Sequence, residues 1–317
     1  MTTDGLPSYA DLAARTDGKP PGTAWGVFGP DDEVGTINLL TADRVLAGVR
    51  EVRTGEVHSL NWDVTQPSPH PYRPVAERTH IAAAGLARDD YLSPMYLQYS
   101  SQWDGLRHIE FGGSFYNGVS PSQVDDPASI TLGIQHWAQR GIVGRGVLLD
   151  VAGHQARAGH PIDPTSSFQI TGALLDQVAA DQGVTIESGD VLLVRTGWVG
   201  WYQDLDLAGR TAALTATSAQ PGLAPVEETA GWLWDRHVSA VAADNMALEI
   251  APLNMADGKF LHLRLIPGLG LAIGEFFWLD DLAVTCNRDN RWSFLFTSAP
   301  LNVPGGVGSP PNALAIL

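Results

Sequence analysis

Gln98-Tyr99-Ser100-Ser101-Gln102-Trp103-Asp104-Gly105-Leu106-Arg107-His108 is the densest run of polar chemistry in this 317-residue chain. Gln98, Gln102, Asp104 and His108 all carry even numbers, so on an extended backbone, whose side chains alternate, they point the same way. A row of oxygens ending in an imidazole can hold a cation or orient a water. Polar alternation also describes the solvated face of an edge strand. Tyr99 and Trp103 on the opposite face weigh against that, because both are large and need cover. Gly112-Gly113 and Tyr116-Asn117-Gly118 follow as tight turns. The segment is therefore expected to be buried on one face and to line a cleft with the other.

Outward from this run, helix and strand signals alternate. Thr41 reads as the N-cap of a helix through Val49. Glu56 to Val64 and Gly146 to Val151 read as strands, the second apolar nearly throughout, as in a strand covered on both faces. A helix from Thr171 to Ala180 is stopped by Gly183, and the strand Val191 to Arg195 follows. Pro225 opens a helix over Val226 to Arg236, and the strand Ser239 to Ala243 ends at Asp244. A helix near Lys259 to Leu265, a Pro267-Gly268 turn and a strand Leu269 to Glu275 come next. This is a mixed α/β pattern. No repeat or linker divides it, so residues 1–317 read as one domain, with the polar, Gly- and Pro-rich residues 1–31 as an arm wrapped over a neighbour or a partner subunit.

Composition removes several functions. A formal charge of −16 argues against nucleic-acid or anionic-membrane binding, which need basic surface. No run of eighteen apolar residues exists, and Met1 to Ala10 lacks the order of a signal peptide, so a cytoplasmic location is expected. Cys286 is the single cysteine, which excludes an intrachain disulfide and a thiolate cluster and leaves a structural thiol. No Gly-x-Ser-x-Gly elbow surrounds Ser100 or Ser101, and no phosphate-cradling loop is present.

The run from Gln98 to His108, with Phe115-Tyr116-Asn117-Gly118 after it, resembles the cyclase family that includes bacterial kynurenine formamidase and isatin hydrolase. The likeness extends from Trp25-Gly26 and Asp32-Glu33-Val34-Gly35-Thr36-Ile37-Asn38-Leu39-Leu40 to Pro300-Leu301-Asn302-Val303-Pro304-Gly305-Gly306. Family members carry a His-x-Gly-Thr-His-x-Asp-x-Pro-x-His signature, whose first two His and Asp bind a divalent metal and whose last His is catalytic. Its Asp falls on Asp104 and its last His on His108, while Gln98 and Gln102 stand where the first two His would be. The resemblance is to a Gln-Trp-Asp subgroup of actinobacterial and fungal members. It implies a swivelling β/β/α-type fold with a mixed sheet and a homodimer or homotetramer.

In the family a later His and Glu, roughly a dozen residues apart, complete the metal site, and His262 and Glu275 match them. A carboxylate ending the apolar strand Leu271-Ala272-Ile273-Gly274-Glu275 also needs a cation if buried, because an unpaired buried charge is very costly. The resemblance thus implies that Asp104, His262 and Glu275 hold a divalent ion, manganese or zinc, with magnesium also compatible. His108 would carry the proton in hydrolysis of an amide, lactam, imide or lactone of a small substrate. Gln98, Gln102, Trp103, Phe115, Tyr116 and Asn117 are the expected substrate contacts, with Phe111 a further wall candidate. The alternative is a metal-free cyclase, dehydratase or isomerase in which His108 and Asp104 run acid–base chemistry. Asp244 and Glu249 are candidates for supporting the site, His154 and His160 flank a possible lid, and His58, His70, His80, His136 and His237 read as structural or surface.

Overall fold

The computed structural model describes residues 5–82, 86–215, 217–255 and 260–317. A nine-stranded mixed sheet runs in the order Val57–Ser59, Ala313–Ile316, Ser293–Ser298, Ile142–Asp150, Val191–Arg195, Ala240–Ala243, Ala272–Glu275, Gln102–Asp104, Gly308–Ser309. The four strands from Ile142–Asp150 to Ala272–Glu275 are parallel, and antiparallel pairs flank them. The mixed α/β expectation holds. Val191, Leu192, Leu193 and Val194 are fully buried, each worth about 2 kcal/mol relative to an exposed side chain.

Helices return the chain between the parallel strands. In Gly172–Gln182 the Thr171 side chain accepts from the Leu174 amide at 3.2 Å, and Gly183 closes the helix in the left-handed region at φ 64°. Leu175, Val178, Ala179 and Gln182 are its buried stripe. Glu227–Asp235 begins one residue later than expected, because Val226 is still extended. Cys286 is buried in Asp280–Asp289, where desolvation pushes its thiol up to about 12. Among the described residues no helix is long and apolar enough to cross a membrane.

Several sequence expectations need correction. The strand expected over Glu56 to Val64 contracts to Val57–Ser59, because the Trp62 amide is caught by the Ser101 hydroxyl at 2.7 Å. The extended run from Gln98 to His108 contracts to Gln102–Asp104. Beyond Asp104 the chain curls, with the His108 amide donating to the Gly105 carbonyl at 3.0 Å. The expected helix near Lys259 is the short turn Leu261–Leu263, with Lys259 outside the described residues. It runs into a π-helical stretch, Arg264–Leu269, that contains Pro267 and Gly268 rather than turning at them. Gly270, left-handed at φ 65°, ends that stretch, so the next strand starts at Ala272.

Residues 5–31 wrap their own chain. Ser8 and Asp11 form a reciprocal cap on the helix Tyr9–Ala13, whose Tyr9 and Leu12 are buried. The Tyr9 amide donates to Asp235 at 2.6 Å, and the Trp234 indole donates to the Pro7 carbonyl at 2.8 Å. Further on, the Ala24 amide reaches the Gly268 carbonyl at 2.8 Å and the Trp25 indole the Pro267 carbonyl at 2.7 Å. The arm therefore clamps the π-helical stretch that follows His262. Residues 1–4 of the expected arm lie outside the described residues.

Candidate functional site

Antiparallel pairing places Gln102 opposite Glu275 and Asp104 opposite Ile273, so the even-numbered face carries Gln102, Asp104 and Glu275 together. Trp103, on the other face, is fully buried against Phe277, with ring centroids 5.1 Å apart, and its indole donates to Ser298 at 2.9 Å. Opposite it stands Gly274, where a Cβ would lie 2.7 Å from Ala242 and 2.9 Å from the Trp103 ring. The glycine makes room for the indole that packs this strand against the core.

His262 enters from the turn Leu261–Leu263. Its Nδ1 lies 2.7 Å from Glu249 Oε1 and its Nε2 lies 3.2 Å from Glu275 Oε1 and 3.8 Å from Asp104 Oδ2. Glu249 also accepts the backbone amides of Leu261 at 2.9 Å and His262 at 3.2 Å, which fixes both the turn and the ring. Phe260 stacks on the imidazole with centroids 4.3 Å apart and planes 9° from parallel. Glu249 thus supports His262 directly, whereas Asp244 binds Thr196 and Gly197 amides at 2.6 and 2.8 Å and lies off the cavity.

One ligand atom from each of Asp104, His262 and Glu275 lies within 4.8 Å of the other two, and all three side chains are buried. Asp104 Oδ2 and Gln102 Oε1 are buried without a hydrogen-bond partner. Two carboxylates and an imidazole around an unpaired buried acceptor suit a divalent cation, whose charge would balance Asp104 and Glu275. The residues present fit a divalent ion.

The protonation equilibria reflect this crowding. Burial alone would lower the His262 pKa, but the hydrogen bonds its ring donates to Glu249 and Glu275 overcome it and push it up to about 10. Burial and the neighbouring Asp104 raise Glu275 to about 7. His108 Nε2 lies 3.9 Å from Asp104 Oδ2, and burial is the main cause that lowers its pKa, against the pull of Asp104. The neutral imidazole is the form a proton acceptor needs.

The two carboxamides also turn inward. Gln102 Nε2 donates to Glu275 Oε2 at 2.6 Å and sits 3.4 Å from Asp104 Oδ1, which also accepts from Gln98 Nε2. Above them opens a cavity of about 240 Å³, lined by Asp104, His108, His262 and Glu275 and walled by Met246, Phe260 and Phe276.

Gln98, Gln102, Asp104, His108, His262 and Glu275 are thus brought together. Trp103, Phe115, Tyr116 and Asn117 are not among the residues that line the cavity. Tyr116 donates to Asp32 at 3.0 Å, and the Asn117 side chain binds the Gly26 amide at 2.7 Å and the Gly29 carbonyl at 3.0 Å, so both secure the arm. Phe111 is exposed and lies elsewhere. His154 sits in the helix Val151–Arg157, paired with Asp181 at 3.1 Å, and neither it nor His160 lines the cavity as a lid would.

Sequence reading missed His70, Tyr72 and Arg73, which form one lip of the cavity. Their signal was the run Pro67-Ser68-Pro69-His70-Pro71-Tyr72-Arg73-Pro74, where prolines stiffen a polar and aromatic loop.

The family described as "Putative cyclase" matches residues 56–250. A crystal structure described as a novel cyclase superposes with a TM-score of 0.84 at 33% identity, covering 93% of this chain and 99% of that one. Isatin hydrolase A from Labrenzia aggregata, solved with benzyl benzoate, shares the fold at a TM-score of 0.60 and 16% identity, over 87% of this chain and 98% of its own. A Bacillus stearothermophilus protein described as a "predicted metal-dependent hydrolase" aligns at a TM-score of 0.52 and 16% identity, over 82% and 98% of the two chains. A search of curated proteins finds no match. With more than half of the chain matched and a relative one-third identical over nearly all of it, this chain belongs to the putative cyclase family.

Proposed function

We propose that this protein is a metal-dependent hydrolase that opens an amide, lactam, imide or lactone bond in a small, cyclic or aromatic substrate. The observation that carries the reading is the convergence of Asp104, His262 and Glu275, buried, with ligand atoms within 4.8 Å of one another. The fold shared with isatin hydrolases and with a protein described as a metal-dependent hydrolase supports it.

Asp104, His262 and Glu275 would hold the ion, and the oxygen-rich set suits manganese or zinc, with magnesium also compatible. Bound there, a divalent ion acidifies water and polarises a carbonyl oxygen. His108, neutral and 3.9 Å from Asp104, takes the proton from the attacking water. As the C–N or C–O bond breaks, the same imidazolium returns that proton to the leaving nitrogen or oxygen. Phe260, Phe276 and Met246 exclude bulk water and pack a planar substrate.

A second reading rests on Gln98 and Gln102. Their amide groups donate to Asp104 and Glu275 and partly satisfy those carboxylates without an ion, which favours acid–base chemistry by a cyclase, dehydratase or isomerase. A screen of aryl formamides, cyclic imides and lactones, run with manganese, zinc or chelator, separates the two. Turnover that chelator abolishes and metal restores supports the hydrolase. Turnover that survives chelation moves the site to the second reading.

A further inference from the structure

We propose that the substrate carries an anionic group, most simply a carboxylate, and that Arg73 receives it at the lip of the cavity while the scissile carbonyl lies over Asp104, His262 and Glu275. This rests on the hydrolase reading of the site and adds the class of molecule it takes.

Among the described residues, Arg73 is the one lysine or arginine that lines the cavity. It is half-buried, and among the described residues it makes no ion pair with a carboxylate. Its guanidinium is anchored instead by a neutral acceptor, the main-chain carbonyl of Gln98, through Nη1. A guanidinium has five N–H donors, so one anchored nitrogen leaves a fork free for a ligand carboxylate.

The anchor also sets the spacing. Gln98 holds Arg73 through its carbonyl and Asp104 through its side chain, so one residue ties the cationic lip to the reacting floor. Arg73 lies near enough for its charge to bear on His70, His108 and Glu275. No oxygen of Asp104 or Glu275 comes within ion-pair distance of it, so a role as their counter-charge has no direct contact behind it. Met246, Phe260 and Phe276 line the same cavity, and their apolar side chains fit the body of an aromatic or cyclic acid. In a chain of net charge −16, an arginine at a cavity mouth with no ion pair among the described residues is a local exception that draws anions inward.

The test compares formanilide with meta- and para-formamidobenzoate on the metal-loaded wild type, Arg73→Gln and Arg73→Lys. Wild type should favour one of the two acids by about 10- to 100-fold in kcat/KM, the range a charge-assisted hydrogen bond supports. Arg73→Gln should collapse that ratio toward one, chiefly through KM, and Arg73→Lys should keep part of it. A wild type indifferent to the carboxylate, or a ratio unchanged in Arg73→Gln, overturns the proposal. If no formamide is turned over, the bond cleaved is another of the proposed set, and binding replaces turnover as the readout. Calorimetry with 4-methylbenzoate and 4-methylbenzamide then decides: the acid must bind wild type more tightly, by a margin that Arg73→Gln removes.

Discussion

Glu249 Oε1 lies 2.7 Å from His262 Nδ1, so the ring nitrogen that faces Asp104 and Glu275 is Nε2. A carboxylate behind a ligating histidine fixes its tautomer and orientation, and such partners typically matter 10- to 100-fold in metal affinity. Glu249→Gln keeps the size and an acceptor for the turn amides but removes the charge. It should weaken manganese or zinc binding by about 10- to 100-fold with the circular dichroism spectrum unchanged. Equal affinity in calorimetric titration would show that Glu249 serves the turn alone.

Uptake of the ion should release a proton. With the His262 pKa up at about 10, the ring is protonated through neutral pH when no ion is present, and a ligating Nε2 must give that proton up. Affinity should therefore rise with pH between about 6 and 9. Calorimetry at about pH 8.5, where Glu275 with its pKa of about 7 is already ionised, should report close to one proton released across buffers of different ionisation enthalpy. A pH-independent affinity would contradict the placement of His262 among the ligands.

His108 should set the acid limb of the rate profile. Burial lowers its pKa below the ordinary 6.5, so the neutral base persists to lower pH and is lost only beneath that value. The kcat/KM profile should fall with a midpoint under 6.5. His108→Asn should cost about 100-fold or more in kcat, in the range of general-base catalysis, with the bound metal retained. A limb above 6.5, or metal lost with His108, would assign the residue a different role.

Gly274 should tolerate no side chain. A methyl there meets Ala242 at 2.7 Å and the Trp103 ring at 2.9 Å inside a packed core. Gly274→Ala should destabilise the fold by about 1–3 kcal/mol in urea titration, the usual cost of overpacking. Trp103→Phe in the same background should recover part of that loss, and its failure to do so would mean that the strain lies elsewhere.

The parallel strands were legible in the sequence where an apolar run buried on both faces marks them: Val191 to Arg195 was read to the residue, whereas Ile142–Asp150 was read only as Gly146 to Val151, because Arg145 breaks its apolar run and Val151 already opens a helix. The period of two at Gln102 and Asp104 was legible for the same reason: strand geometry is local. What failed was non-local. Gln98 and His108 reach Asp104 by chain bends on either side of a three-residue strand, which alternation cannot encode. Phe115, Tyr116 and Asn117 looked like a substrate wall because aromatic and amide groups near a polar run suit one, yet the partners of Tyr116 and Asn117, namely Asp32, Gly26 and Gly29, lie some ninety residues earlier. The lip residue Arg73 was missed because nothing in the Pro-rich loop indicates which cavity it borders. Glu249 stood out only as an acid after a strand, and its partner His262 became visible with the fold.

The most direct test of the metal-dependent reading is elemental analysis of protein purified without chelator and dialysed against limiting manganese or zinc, for the wild type and for Asp104→Asn, His262→Ala and Glu275→Gln. Close to one ion per wild-type chain and a large loss in each variant are expected. Wild-type protein that takes up no ion, or variants that hold it as well as wild type does, would contradict that reading.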